Sequence, residues 1–175
     1  MTDGLRLVMR EAFGPIGLHR PWAHPPDTSE GFRDLLAVAA DRSEALFLIV
    51  RAEDGAIAGY ARLSQILLGG FRSAYLGYSA FAGFEGRGYM TAGLRLVLRE
   101  AYGPIGLHRV EANVQPDNVR SIALVERLGF RREGYSPRYL KVGGRWRDHV
   151  RFAILAEDFF TAETARRARS ARGRA

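Results

Sequence analysis

Cysteine is absent from the 175 residues, which excludes disulfides, thiolate metal sites and a cysteine nucleophile. Lysine is nearly absent: Lys141 stands alone, so almost all positive charge is arginine. The four histidines, His19, His24, His108 and His149, are too scattered to supply a ligand set, and no metal is expected. No apolar run approaches the roughly 18–20 residues of a membrane span. The opening MTDGLRLVMREAF lacks the basic region and uninterrupted hydrophobic stretch of a signal peptide. A cytoplasmic protein with no membrane partner is the expectation.

What is present reads as one globular domain. Hydrophobic residues make up 47% and aromatics 11%, enough to build a core in a chain of this length. The net charge of +7 is unevenly spread. Arg166, Arg167, Arg169, Arg172 and Arg174 fall in the last ten residues, and the rest of the chain carries about +2. The charge divides the chain into a domain over 1–160 and a basic, flexible tail over 161–175. Nucleic acid is not an expected partner except through that tail.

Met1 to Arg20 nearly copies Met90 to Arg109, matching at seventeen of twenty positions. One such copy does not make a solenoid. The second copy suits a helix, a turn and the lead-in to a strand. For the first, two readings stay open: a helix like its twin, or pairing of Leu5 to Met9 as a strand where new neighbours override local preference.

Further along, Pro21-Trp22-Ala23-His24-Pro25-Pro26 reads as a rigid extended linker. Trp22 and His24 either line a cleft or anchor this loop. A helix is predicted over Glu30 to Ala40, capped by Thr28 or Ser29. Strands are predicted over 44–51, 57–68, 71–81, 110–114, 135–142 and 145–155, with turns at Asp54-Gly55 and Gly143-Gly144. Helices are predicted over 91–102 and 118–128, the second ended by Gly129. Strands in a run with helices interposed give an α+β domain with a mixed, mostly antiparallel sheet.

The centre of the chain is Glu85-Gly86-Arg87-Gly88-Tyr89-Met90, between an apolar strand and an amphipathic helix. A helix start has amides without intrahelical partners and the positive end of the macrodipole, and glycines let the main chain approach an anion closely. A phosphate is expected here. The spacing fits neither a dinucleotide fold nor a P-loop.

The loop resembles the acetyl-CoA pyrophosphate loop of the GNAT superfamily of N-acetyltransferases, Gln/Arg-x-x-Gly-x-Gly/Ala. Gly88 holds, while Glu85 and Met90 depart from the pattern. HRVEANVQPDNVRSIALVERLGFRREGY, with Tyr139-Leu140 and Gly144-Arg145-Trp146-Arg147-Asp148-His149, is similar to the RimJ/RimL branch, the ribosomal-protein-alanine N-acetyltransferases. The resemblance implies a twisted sheet flanked by helices, whose central parallel strands splay apart to hold acetyl-CoA. It implies cofactor contacts at Ser79, Ala80 and Phe81, at Glu85, Gly86, Arg87, Gly88, Tyr89 and Met90, and at Asn118 and Ser121.

Acetyl transfer to an amine needs a neutral amine, an oxyanion donor and a proton for the departing thiolate. A main-chain N–H near Ser79 to Phe81 is the implied oxyanion donor, and Ser121 matches the family's hydroxyl proton donor. The bland alternative is that Asn118 or Asp117 caps the helix and Ser121 only fills its first turn. Where related enzymes place a carboxylate before Tyr-Leu, this chain has Arg138. Glu111 is the next candidate base, followed by Asp148 and His149. An α-amine has a pKa of about 8 against about 10.4 for lysine, so a weak base serves it better. The implied acceptor is the N-terminal α-amine of a protein, a ribosomal protein foremost. The alternatives are a small amine such as a drug or polyamine, or an acyl-CoA-binding module without turnover.

Overall fold

The computed structural model describes residues 5–9 and 43–172, the first of these segments by its backbone alone. The described strands are β1 (Leu5–Met9), β2 (Ala45–Arg51), β3 (Ile57–Leu67), β4 (Ser73–Ala80), β5 (Arg109–Val114), β6 (Arg131–Val142) and β7 (Arg145–Leu155). The described helices are α1 (Tyr89–Tyr102), α2 (Val119–Leu128) and α3 (Ala156–Arg172). The strands form one sheet in the order β1-β2-β3-β4-β5-β7-β6. The linker at 21–26 and the helix predicted over Glu30 to Ala40 lie outside the described residues.

Side-chain periodicity explains how the sheet and helices meet. Leu94, Val97, Leu98, Ala101 and Tyr102 make the buried stripe of α1 that their spacing predicts. In β5, Val110, Ala112 and Val114 are buried while Arg109, Glu111 and Asn113 are not, the alternation of a strand with one face on the core. Phe47, Leu63, Val125, Phe152 and Ile154 complete that core. Gly129 ends α2 at φ 96°, a left-handed conformation that an L side chain resists.

One pair of neighbours breaks the antiparallel pattern. β4 and β5 are parallel, as the helical crossover through α1 requires, and they pair only at Ser73↔Arg109, Ala74↔Val110 and Tyr75↔Glu111. Beyond that rung β4 stays on β3 as far as Ala80↔Gly59, and β5 stays on β7 as far as Val114↔Val150. No rung joins Leu76–Ala80 to Ala112–Val114. The sheet therefore opens into a V at the carboxyl ends of its two parallel strands, the splay that the resemblance implies.

The internal copy takes different structures in its two places. Leu5–Met9, LRLVM, is a strand antiparallel to β2, whereas LRLVL at 94–98 lies inside α1. Of the two readings of the first copy, the strand is the one found for Leu5–Met9.

The C-terminal stretch differs from the frayed end that its charge suggests, because α3 continues to Arg172. Two contacts tie it down. Glu163 is buried and meets Arg95 and Arg99 of α1 as well as Arg166. The Phe159 ring lies 5.5 Å from that of Tyr102. Among the described residues, no helix is long and apolar enough to cross a membrane.

Candidate functional site

Because β4 and β5 run the same way, the segments that follow them emerge at the same end of the sheet. The first is the loop 81–88 leading into α1, and the second is the turn 115–118 leading into α2. Gly83, Gly86 and Gly88 all have φ between 71° and 84°, and a Cβ at any of them would meet open space. Conformation, not crowding, calls for glycine there. Gly88 is the N-cap of α1 with no side-chain cap, and the first turn carries no acid.

Glu85 to Gly88 are exposed. Among the described residues, the amides of 86–91 donate to no protein acceptor. The first protein-bonded amide of the helix is that of Ala92, which reaches Gly88 O at 3.0 Å. A run of six open donors at a helix start fits a diphosphate.

The side chains around this loop do other work. Glu85 folds back so that its carboxylate accepts from Gly83 N–H at 2.8 Å. Tyr89 packs edge-on against Phe84, and both rings lie under the Arg51 guanidinium, which is itself paired with Asp54. Met90 packs on the core next to Gly59, where any Cβ would strike its sulfur. Tyr89 and Met90 therefore offer an anion their main-chain amides, not their side chains.

At the end of β4 the candidate oxyanion donors separate. Phe81 N–H bonds Ala58 O at 2.9 Å. Alternation along an antiparallel ladder gives Ser79 the same orientation, towards β3. Ala80 N–H then points to the other edge, into the V. Ser79 Oγ donates to Ala80 O at 3.3 Å.

Across the V, Asn118 caps α2 by accepting from Ser121 N–H at 3.1 Å. The capping expected of Asn118 is present, but Ser121 does more than fill a turn. Its hydroxyl lies 2.5 Å from Tyr78 Oη, and Tyr78 Oη also reaches Ser121 O at 3.3 Å. Tyr78 belongs to the unpaired half of β4, so this contact crosses the V. Burial pushes the phenol up to about 12, with the bond to Ser121 acting the other way, and it stays protonated at neutral pH. Sequence reasoning passed over Tyr78. The available signal was a hydroxyl at the position after Ala74 and Leu76 on the core-facing period, where burial calls for a hydrogen-bond partner.

Glu111 is not brought together with Ser121. By strand alternation it faces away from the helices, whereas α2 packs on the core side. It accepts from Arg109 Nε at 3.0 Å, and Arg109 also grips Glu133. Tyr75, its partner in the last parallel rung, is raised to about 12 by burial and then by its hydrogen bond with Tyr139.

Arg138 sits in the bulge of β6 at φ 49°, and its N–H donates to Asp148 Oδ1 at 2.7 Å. Asp148 also accepts from Tyr135 Oη, so this carboxylate holds the bulge. His149 is buried with Nδ1 3.1 Å from Arg147 O, and desolvation lowers its pKa. Among the described residues no cluster of His, Asp and Glu has the makings of a metal site.

An acetyltransferase (GNAT) domain model matches residues 2–131. The chain is 36% identical over 159 residues to the probable N-acetyltransferase YjcK of Bacillus subtilis, covering 89% of this chain and 87% of that protein. It is 41% identical over 103 residues to the [ribosomal protein uS5]-alanine N-acetyltransferase of Escherichia coli, covering 59% of this chain and 53% of that protein. Mycobacterium smegmatis RimJ in complex with CoA-disulfide superposes with a TM-score of 0.67 at 36% identity, over 73% of this chain and 62% of that one. Vibrio cholerae spermidine N-acetyltransferase in complex with CoA and spermine superposes with a TM-score of 0.68 at 22% identity, over 79% and 82% of the two chains. The last of these likenesses bears on the fold alone.

Proposed function

We propose an acceptor for a chain that belongs to the acetyltransferase (GNAT) family, and is therefore an acetyl-CoA-dependent N-acetyltransferase: the N-terminal α-amine of a protein, a ribosomal protein foremost. Acetyl-CoA supplies the activated acyl group. The observation that carries the site reading is the run of open amides at 86–91, at the same end of the sheet as Ser121. In this reading Gly86 to Met90 hold the diphosphate through the main chain. Ala80 N–H, on the V side of β4, stabilises negative charge on the acyl oxygen. Ser121 gives a proton to the departing sulfur, and the amine enters from the face that carries Glu111.

Electrostatics around the site support an α-amine over a polyamine. Glu111 and Glu133 are both held by Arg109, and Asp148 is held by Tyr135 and the Arg138 amide. No cluster of unpaired acids is left among these to receive several ammonium groups. An α-amine is about half neutral near its pKa of about 8, so the ion-paired Glu111 or a water has little to remove. The similarity to the uS5-alanine enzyme points the same way, although it spans about half of that protein's length.

The test is release of CoA thiol with peptides that begin with Ala or Ser, run beside spermidine and a peptide blocked at its N-terminus with an internal lysine. Turnover of the free-N-terminus peptides alone is expected. Turnover of spermidine with none of the peptides would overturn the acceptor, and acetyl-CoA binding without turnover of any amine would overturn the enzyme's assignment as active.

A further inference from the structure

Ser121 Oγ and Tyr78 Oη stand 2.5 Å apart, and only one of the two protons can lie between them. If serine donated, the phenol proton would be left with Ser121 O at 3.3 Å, a carbonyl already placed to accept within α2. If the phenol donates, it makes the shorter bond, and the serine proton is forced out of that line. A hydroxyl that accepts a hydrogen bond also becomes the stronger donor. The phenol is suited to the task, since burial keeps it protonated across the working range of pH. It comes from the half of β4 that has left β5, so its bond to α2 spans the opening into which the reacting groups must fit.

We propose that Tyr78 is a positioning residue for acetyl transfer: by donating to Ser121 Oγ it aims the serine proton at the departing sulfur. This rests on the reading of Ser121 as the proton donor. As the new N–C bond forms and the C–S bond breaks, the electron pair goes to sulfur, and sulfur takes the Ser121 proton. Serine is reprotonated from solvent, which receives the proton that the amine loses. Tyr78 holds its own proton throughout.

The experiment is a double-mutant cycle in the full chain with Tyr78→Phe and Ser121→Ala, read as kcat and as KM for acetyl-CoA with whichever amine the thiol-release assay turns over. Phenylalanine keeps the ring packing and removes only the hydroxyl. S121A is expected to lower kcat by about 100-fold, the low end for a lost general acid. Y78F is expected to lower it about 10-fold, with KM for acetyl-CoA within about twofold, as befits one lost hydrogen bond. In the S121A background Y78F should cost nothing further, because Tyr78 then has no hydroxyl to aim. A merely structural tyrosine would impair both backgrounds alike, and that result overturns the proposal. Normal kcat in Y78F with an impaired S121A overturns the role of Tyr78 alone. Normal kcat in S121A overturns the reading of Ser121 together with it. Thermal melts of all four proteins keep a folding defect distinct from a catalytic one.

Discussion

The acid in the glycine loop gives a prediction with a sign. Glu85 occupies a position where the family pattern has Gln or Arg, and its carboxylate is anchored 2.8 Å from Gly83 N–H. A diphosphate on the amides of 86–91 would stand on the order of 6 Å from that carboxylate, a separation of about two residues. Two unit charges at that distance repel by about 0.7 kcal/mol in water, and the two charges of a diphosphate by about 1.4 kcal/mol. Physiological salt screens roughly half of this.

Glu85→Gln keeps an oxygen for Gly83 N–H, so the loop should hold its shape while the repulsion goes. CoA is then expected to bind about threefold more tightly at 0.15 M salt, and towards tenfold more tightly at 0.01 M. Titration calorimetry of CoA into both proteins at the two salt concentrations reads this directly. Equal affinities at low salt, or weaker binding by E85Q, would refute the idea that the diphosphate lies over this loop.

The other predictions concern the scaffold and its pH response. A Cβ at Gly59 would strike the Ser79 carbonyl and come within 2.7 Å of the Met90 sulfur, so Gly59→Ala should cost about 1–3 kcal/mol in urea unfolding. It should also weaken CoA binding, because Met90 seats the start of α1. Glu163→Ala leaves Arg95, Arg99 and Arg166 without their shared carboxylate. The arginines are partly exposed, which limits the loss to about 1–2 kcal/mol by thermal melting, with α3 becoming the first segment to exchange amide hydrogens. His149 is more easily protonated in the unfolded chain than in the fold. Its contribution to stability is therefore complete above about pH 6.5 and is lost as pH falls through its lowered native value. Replacing it with Gln should flatten the dependence of melting temperature on pH below about 6.5, and an unchanged slope would refute this.

Much of the architecture was legible because local rules and tertiary demands agree. The stripe from Leu94 to Tyr102, the Asn118 cap and the Gly129 stop each state a helix boundary or face in residue types alone. The glycine loop was legible for the same reason: the left-handed φ values at Gly86 and Gly88 require the residue that is there. The site beyond the loop was less so. Ser121 was singled out by its motif, but Tyr78, 43 residues away, becomes its hydrogen-bond partner only where β4 has parted from β5. The basic end misled because a count of its arginines hides one acid, Glu163, that pairs with Arg166 of its own helix and ties α3 to Arg95 and Arg99 of α1.

Sequence alone pointed to the crossover from β4 through α1 to β5, since a strand, a long amphipathic helix and a second strand in succession form the unit that joins parallel strands. It also singled out the loop whose main-chain amides are left open at the start of α1. Tertiary structure decided the rest, and the copied segment shows why. Leu-Arg-Leu-Val is strand at 5–8 and helix at 94–97, with the same propensities in both places. Beside the free edge of β2 its backbone groups pair across a ladder; after the Gly88 turn they pair within a helix whose apolar stripe covers the sheet. Intrinsic preferences for helix or strand differ by less than about 1 kcal/mol per residue, and the neighbours contribute more than that.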